Sequence, residues 1–249
     1  QEAVDIMRKL SQGDDINLAA SLGFLSNCYI QQGYYEKALK LATEQKEMTT
    51  RLFGEKDYRI SGTLLNIGQI KCLMGNPQEG LTYLEKSVAI ADVSTSRNIN
   101  PLVRLMECYG LLGDYEKYEK TLKKAFEIVS PHKSQSPDMY ALLLYYQANL
   151  KVQQSDFTAA SDYASQAIEI IEGNLDVHSV AYLNLAMTRV NCVKTEGFND
   201  RAYELLIEAK KIADEMWPDT MTINKAIILG TMANYLIDLG KGEEAQQYA

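Results

Sequence analysis

Two histidines, His132 and His178, and four cysteines, Cys28, Cys72, Cys108 and Cys192, are the residues from which chemistry would be built. A Ser/His/Asp or Cys/His device needs an imidazole held rigidly beside a nucleophile. The two histidines stand 46 residues apart, each in a stretch that reads as a loop, and neither has a rigid partner in sequence. Successive cysteines are 44, 36 and 84 residues apart, and no Cys-x-x-Cys pair occurs, so no zinc site is expected. The thiols read as free, buried groups of a reducing, cytoplasmic compartment. Carboxylate pairs such as Glu243-Glu244 fall on solvent faces, and the glycines are dispersed rather than gathered into a phosphate loop. No catalytic residue, metal ligand or cofactor is assigned, and the chain reads as a non-enzyme. What recurs instead is the side-chain amide at Asn27, Gln69, Asn149, Asn191 and Asn234. An amide offers a donor and an acceptor together, which suits the main chain of an extended peptide.

The elements that position these amides must be helical. Glycine and proline together make 20 of 249 residues, about 8% against a usual 12% or so. A sandwich or barrel needs a turn signal every 8–12 residues or so. The net charge of −8 excludes a phosphate-backbone binder, so no nucleic-acid partner is expected. No run approaches the roughly 18 apolar residues of a membrane span, so no membrane insertion is expected. Gln1 to Asp5 carry neither a basic start nor an apolar signal core, and no initiator Met is present. The chain is therefore expected to be an excised piece of a longer one.

A period fixes the architecture. Gly33-Tyr34-Tyr35-Glu36-Lys37-Ala38 recurs in form at Gly75, Gly113, Ser155, Gly197 and Gly240, at intervals of 42, 38, 42, 42 and 43 residues. Apolar pairs sit eleven and eight residues before the turn: Leu22/Leu25, Leu64/Ile67, Leu102/Leu105 and Leu229/Met232. Five residues after it stand Ala38, Gly80, Ala160, Ala202 and Ala245, small enough for two antiparallel helices to cross closely. Spacings of three, four and seven place these residues on one helical stripe. Tyr118 breaks the rule and predicts a looser third hairpin. In repeat five Arg189 falls on an apolar slot, while Leu183 and Leu185 fit one about four residues earlier. That reading predicts a shifted register and a first helix about a turn longer than the rest.

The pattern resembles the tetratricopeptide repeat, a helix-turn-helix unit, over essentially the whole chain. Arg51-Leu52-Phe53-Gly54 is similar to the helix-ending Leu-Gly link of kinesin light chains, whose long units this period of about 42 residues matches. The resemblance implies an all-α fold, a right-handed superhelical α-α solenoid truncated at both ends. It would form a single array over 1–249, with a partial repeat at 1–15. Full repeats are expected near 16–56, 57–97, 98–136, 137–175 and 176–218, and an incomplete one at 219–249. First helices are expected near 16–32, 57–74, 98–112, 137–153, 176–196 and 220–239. Second helices are expected near 35–53, 77–92, 115–130, 157–172, 199–216 and from 243.

In this superfamily the first helices line the concave groove, and the slot six residues before each turn faces it. That slot reads Asn27, Gln69, Glu107, Asn149, Asn191 and Asn234. The slot nine before reads Phe24, Asn66, Arg104, Tyr146, Thr188 and Thr231. Asn66, in Leu64-Leu65-Asn66-Ile67-Gly68, is similar to the kinesin light chain Asn that contacts cargo peptide. Under the shifted register Met187 replaces Asn191, and Asn184 takes the place corresponding to Asn66. The chaperone carboxylate clamp resembles Asn27, Asn66 and Arg104, but its two Lys slots hold Gly23 and Asn100, which removes most carboxylate attraction. The expected peptide-contacting residues are Phe24, Asn27, Asn66, Gln69, Arg104, Tyr145, Tyr146, Asn149, Asn184 and Asn234, with Phe24, Tyr145 and Tyr146 as apolar anchors and Arg104 as charge selector. The function implied is an adaptor or scaffold that binds an extended peptide or helix of a partner protein. The alternatives are the regulatory region of a larger enzyme, a peptide-sensing regulator whose effector domain lies elsewhere, and an assembly that uses the outer face.

Overall fold

The fold is described from a computed structural model covering residues 2–11, 13–91 and 98–248. Asp92, Ala249 and the Ala3 side chain, which enter the repeat reading, lie outside what is described. Every regular element among the described residues is helical. The chain divides into two compact units, 1–128 and 129–249.

The first unit runs α1 (Glu2–Leu10), α2 (Ile16–Gln31), α3 (Tyr35–Phe53), α4 (Ile60–Leu73), α5 (Pro77–Ile90), α6 (Asn100–Leu112) and α7 (Tyr115–Val129). The second runs α8 (Pro137–Gln153), α9 (Phe157–Asn174), α10 (Val180–Thr195), α11 (Asn199–Met216), α12 (Ile223–Asp238) and the short α13 (Gly242–Ala245). Helices α2, α4, α8, α10 and α12 each pair with the odd-numbered helix that follows, and neighbouring even-numbered helices pack side by side within a unit, as α2 does on α4 and α4 on α6.

Local chemistry sets the ends. Asp15 starts α2 by accepting from the backbone N–H groups of Asn17 and Leu18 at 2.7 and 3.0 Å. Asp156, Ser179 and Thr222 do the same for α9, α10 and α12, satisfying donors that the first turn leaves without partners. Pro77, Pro101 and Pro137 sit in first turns, where a missing N–H costs nothing. The hairpin turns need a left-handed residue, which Gly33, Gly75, Gly113, Gly197 and Gly240 supply. In the fourth turn Ser155 adopts φ 60° instead.

The core follows the predicted stripe. Val4, Leu18, Ala19, Leu22, Leu41 and Met48 join α1 to α3, and Ile30, Ala38, Ala42, Ile67 and Ile70 carry the packing on to α4. At the other end Ala233, Leu236 and Ala245 pack with Tyr203 and Tyr248. The small residues after each turn are fully buried at the crossings: Ala38, Ala160 and Ala202 are each 0% exposed.

Three expectations are corrected. The third hairpin is not opened by Tyr118: a β-carbon on Gly110 would lie 3.6 Å from its ring, so the bulk on α7 is taken up by the missing side chain on α6. Repeat five keeps the ordinary register. Helix α10 has 16 residues, like α2 and α12, and is shorter than the 17 of α8. It starts late because Ser179 caps it and because His178 N–H turns back onto Asp176 Oδ1 at 2.9 Å. Finally, Cys28 is exposed, whereas Cys108 and Cys192 are buried and Cys72 lies between. The Cys108 thiol donates to the Pro77 carbonyl at the start of α5, at 3.3 Å.

Candidate peptide-binding faces

In the first unit the candidate residues come in pairs three apart, Phe24/Asn27 on α2, Asn66/Gln69 on α4 and Arg104/Glu107 on α6. The buried residues of each helix occupy other positions, Leu22 and Ser26 on α2, Ile67 and Gly68 on α4, Leu105 and Met106 on α6. A spacing of three keeps each pair on one helix face, so the three pairs hold one register on three adjacent helices. Phe24 is 73% exposed, far more than an aromatic ring with only a packing role. Arg104 is engaged: its guanidinium donates to Glu107 at 2.7 Å. The pair presents a bound zwitterion rather than the open cation expected at the charge-selecting position.

In the second unit the first helices α8, α10 and α12 enclose a cleft of about 180 Å³ bordered by Tyr145, Asn184, Met187, Asn191, Asn224 and Ile227. That is the space of about six waters, enough for one aliphatic side chain. Tyr145 and Asn184, both expected from sequence, meet here. Tyr146 does not: at 8% exposure it is a core residue, its ring edge-on to Tyr145 at 5.5 Å. Asn149 is half-buried on α8 and Asn234 exposed on α12, and neither borders the cleft. The Thr188 hydroxyl turns back to the Asn184 carbonyl at 2.9 Å.

The sequence reading passed over Met187 as a mere register substitute, set Asn191 aside, and missed Asn224 and Ile227. Counting back from the turns recovers two of them. Met187 stands ten before Gly197 as Tyr145 stands ten before Ser155, and Ile227 stands thirteen before Gly240 as Asn184 does before Gly197.

Among the described residues, none of the side-chain amides of Asn27, Asn66, Gln69, Asn149, Asn184, Asn191 and Asn234 makes a hydrogen bond within the protein. Their donors and acceptors are left to solvent or to a ligand. By contrast, His178 is committed: Nδ1 lies 3.0 Å from Asp176 and Nε2 3.1 Å from Glu215, tying the α9–α10 loop to α11. The two carboxylates hold its pKa above the usual value, Glu215 contributing most. The described residues contain no group of three or more His, Cys, Asp or Glu that could hold a metal, and no helix is long and apolar enough to cross a membrane.

No protein-family model matches the chain. A curated relative, the Sol locus transcriptional repressor of Clostridium acetobutylicum, is 29% identical over 122 residues, covering 43% of this chain and 36% of the relative. The chain thus spans about a third of the length of that relative. Among solved structures, a Rap protein complexed with competence and sporulation factor superposes with a TM-score of 0.72 at 14% identity, covering 99% of this chain and 76% of that one. The tetratricopeptide-like repeats of a kinesin light chain-type protein from Podosopora anserina superpose with a TM-score of 0.62 at 18% identity, covering 80% of this chain and 96% of theirs. At such identities the likeness speaks for the fold, and the fold is that of a tetratricopeptide-repeat helical solenoid.

Proposed function

We propose that this chain is a non-enzymatic interaction module that binds an extended peptide segment through the faces of its first helices. One observation carries the reading: amides at the same register on successive helices leave their hydrogen-bonding capacity unused. Adjacent helices lie 8–10 Å apart or so, and an extended peptide rises about 3.3 Å per residue. A peptide crossing the helices would therefore meet a fresh amide every three residues or so. Within one unit, three such bonds at about 1 kcal/mol each give about 3 kcal/mol, short of the roughly 8 that a micromolar complex requires. The apolar positions must add the rest, Phe24 in the first unit and the Tyr145–Met187–Ile227 cleft in the second. The setting we propose is cytoplasmic, in keeping with four unpaired thiols, and the role that of an adaptor or scaffold.

A second reading, a peptide-sensing regulator, is favoured by the repressor relative and by the Rap structure, a complex with competence and sporulation factor. Proteome-derived peptide display against the chain separates the two. An adaptor selects internal segments that tolerate extension at both ends, whereas a sensor selects short peptides whose free termini are required. In either case Asn184→Ala with Asn191→Ala should weaken the selected peptide about tenfold while leaving helicity unchanged. Unaltered affinity would remove the second-unit cleft from the reading, and the same result for Asn66→Ala with Gln69→Ala would remove the first-unit face.

A further inference from the structure

The second helices carry a surface of another kind. Lys117, Lys120, Lys123 and Lys124 fall within eight positions of α7 in a chain whose net charge is −8. All four are exposed, and they border a cleft of about 690 Å³ whose apolar lining comes from Val88 of α5 and from Leu102, Leu105 and Tyr109 of α6. Lys117 is partly occupied, 3.0 Å from Asp114 and 5.5 Å from the Tyr109 ring centre. Lys120, Lys123 and Lys124 have no ion pair among the described residues. Glu127 closes the far end with the opposite sign. Tyr109 donates to Glu85 at 3.3 Å, and burial pushes its phenol up to about 12, so it stays a fixed donor in the wall.

We propose that this cleft docks an acidic amphipathic helix of a partner protein. Lys117, Lys120 and Lys124 are spaced three and four apart, the period at which carboxylates recur along one face of a helix. From Lys117 to Glu127 the cleft runs ten residues of α7, roughly 15 Å at helical rise, which matches about three turns of an opposing helix. Apolar side chains on the inner face of that helix rest on half-buried Val88 and on the lysine stems, over a floor in which Leu102, Leu105 and Tyr109 are buried; its carboxylates pair with the lysines, and a basic residue at its end faces Glu127. The charge pattern steers the approach and fixes the direction, and the apolar contacts hold the complex. This surface shares no residue with the first-helix faces and stands independently of the peptide-binding reading.

The test uses the full chain and a synthetic 14-residue helical peptide with Glu at three-four spacing and Leu on the adjoining face, followed by fluorescence anisotropy. The peptide is expected to bind, less tightly as salt is raised. Lys120→Glu with Lys124→Glu should weaken it at least tenfold, whereas Asn66→Ala should leave it unchanged. Lys120→Ala with Lys124→Ala serves as a milder variant, with circular dichroism to confirm that both remain helical. The same peptide with Ser in place of Leu should bind at least tenfold more weakly. The assignment is overturned if the Glu/Leu peptide does not bind, if charge reversal leaves its affinity unaltered, or if polyglutamate or single-stranded RNA of equal charge binds as tightly. In the last case the lysines would be a general anion-exchange surface.

Discussion

Gly68 of α4 and Gly80 of α5 face each other where their helices cross. A β-carbon on Gly80 would lie 2.7 Å from the Gly68 carbonyl oxygen, and one on Gly68 would lie 3.1 Å from the Gly80 carbonyl and 2.6 Å from Leu84 Cγ. The neighbour is backbone, which cannot move aside without parting the helices. Alanine gains about 1 kcal/mol over glycine in helix propensity, whereas overpacking a tight contact costs about 1–3 kcal/mol. Gly80→Ala is therefore expected to lower stability by up to about 2 kcal/mol in denaturant titration. Gly230→Ala in α12, where a β-carbon meets nothing within 4 Å, is expected to raise it by about 0.5–1 kcal/mol. Equal effects at the two positions would mean that the crossing is not close.

Ser155 occupies the turn position that glycine holds in the other five hairpins, at φ 60°. A side chain in the left-handed region costs about 1–2 kcal/mol, partly offset because glycine loses more chain entropy on folding. Ser155→Gly should raise the stability of the second unit by about 0.5–1 kcal/mol, read as a higher denaturant midpoint at unchanged slope. A lower midpoint would show that the serine makes a compensating contact.

Much of this architecture was readable because its geometric demands recur. Every hairpin needs a turn residue that tolerates positive φ and a crossing that excludes bulk, so Gly33, Gly75 and Gly113 with Ala38 and Gly80 spell out the period. Arg189 on an apolar slot suggests a shifted register for α10 that the structure does not have. An arginine can lay its stem along apolar surface and keep its head in water, and Arg189 is half-buried in the ordinary register. Tyr145 and Tyr146 show a second limit. Neighbours in a helix point about 100° apart, so only one of two adjacent tyrosines reaches the cleft, and composition alone does not say which. Tyr118 over Gly110 shows the third: bulk on one helix is matched by its absence on another, which a pattern read within single helices does not reveal.

His178 makes stability of the second unit depend on pH. Its pKa is raised above 6.5 by Glu215 and Asp176, so the folded state favours the imidazolium. The contribution is fully present below about pH 6.5 and is lost as pH rises through the raised folded value. Thermal melts of the protein and of His178→Gln should therefore differ more at pH 5.5 than at pH 8.5, the protein being the more stable at the lower pH. A difference that is constant across this range would mean that His178 contributes through its neutral ring. The Asp176 pKa is lowered, chiefly by the His178 backbone N–H, so its contribution fades only as pH falls below the ordinary carboxylate range, outside this comparison.

Phe24 and Tyr145 separate binding from folding. Phe24 is 73% exposed, so its truncation removes almost no buried area, and Phe24→Ser should change stability by less than about 0.5 kcal/mol. If the first-unit face takes a peptide, the same change removes its aromatic anchor, and aromatic anchors cost about 2 kcal/mol or more when truncated, about thirtyfold in affinity. Tyr145 is half-buried against Tyr146, so Tyr145→Ala would mix the two effects. Ile227→Asp is the cleaner probe of the second unit: Ile227 is 54% exposed at the rim of the cleft, and a carboxylate there would confront any apolar side chain seated in it. Loss of a displayed peptide with Ile227→Asp but not with Phe24→Ser would place the interaction in the second unit, and the reverse would place it in the first. Retention with both variants, each shown to be folded, would leave the first-helix faces without a ligand role and move the search to the lysine-lined cleft on α7.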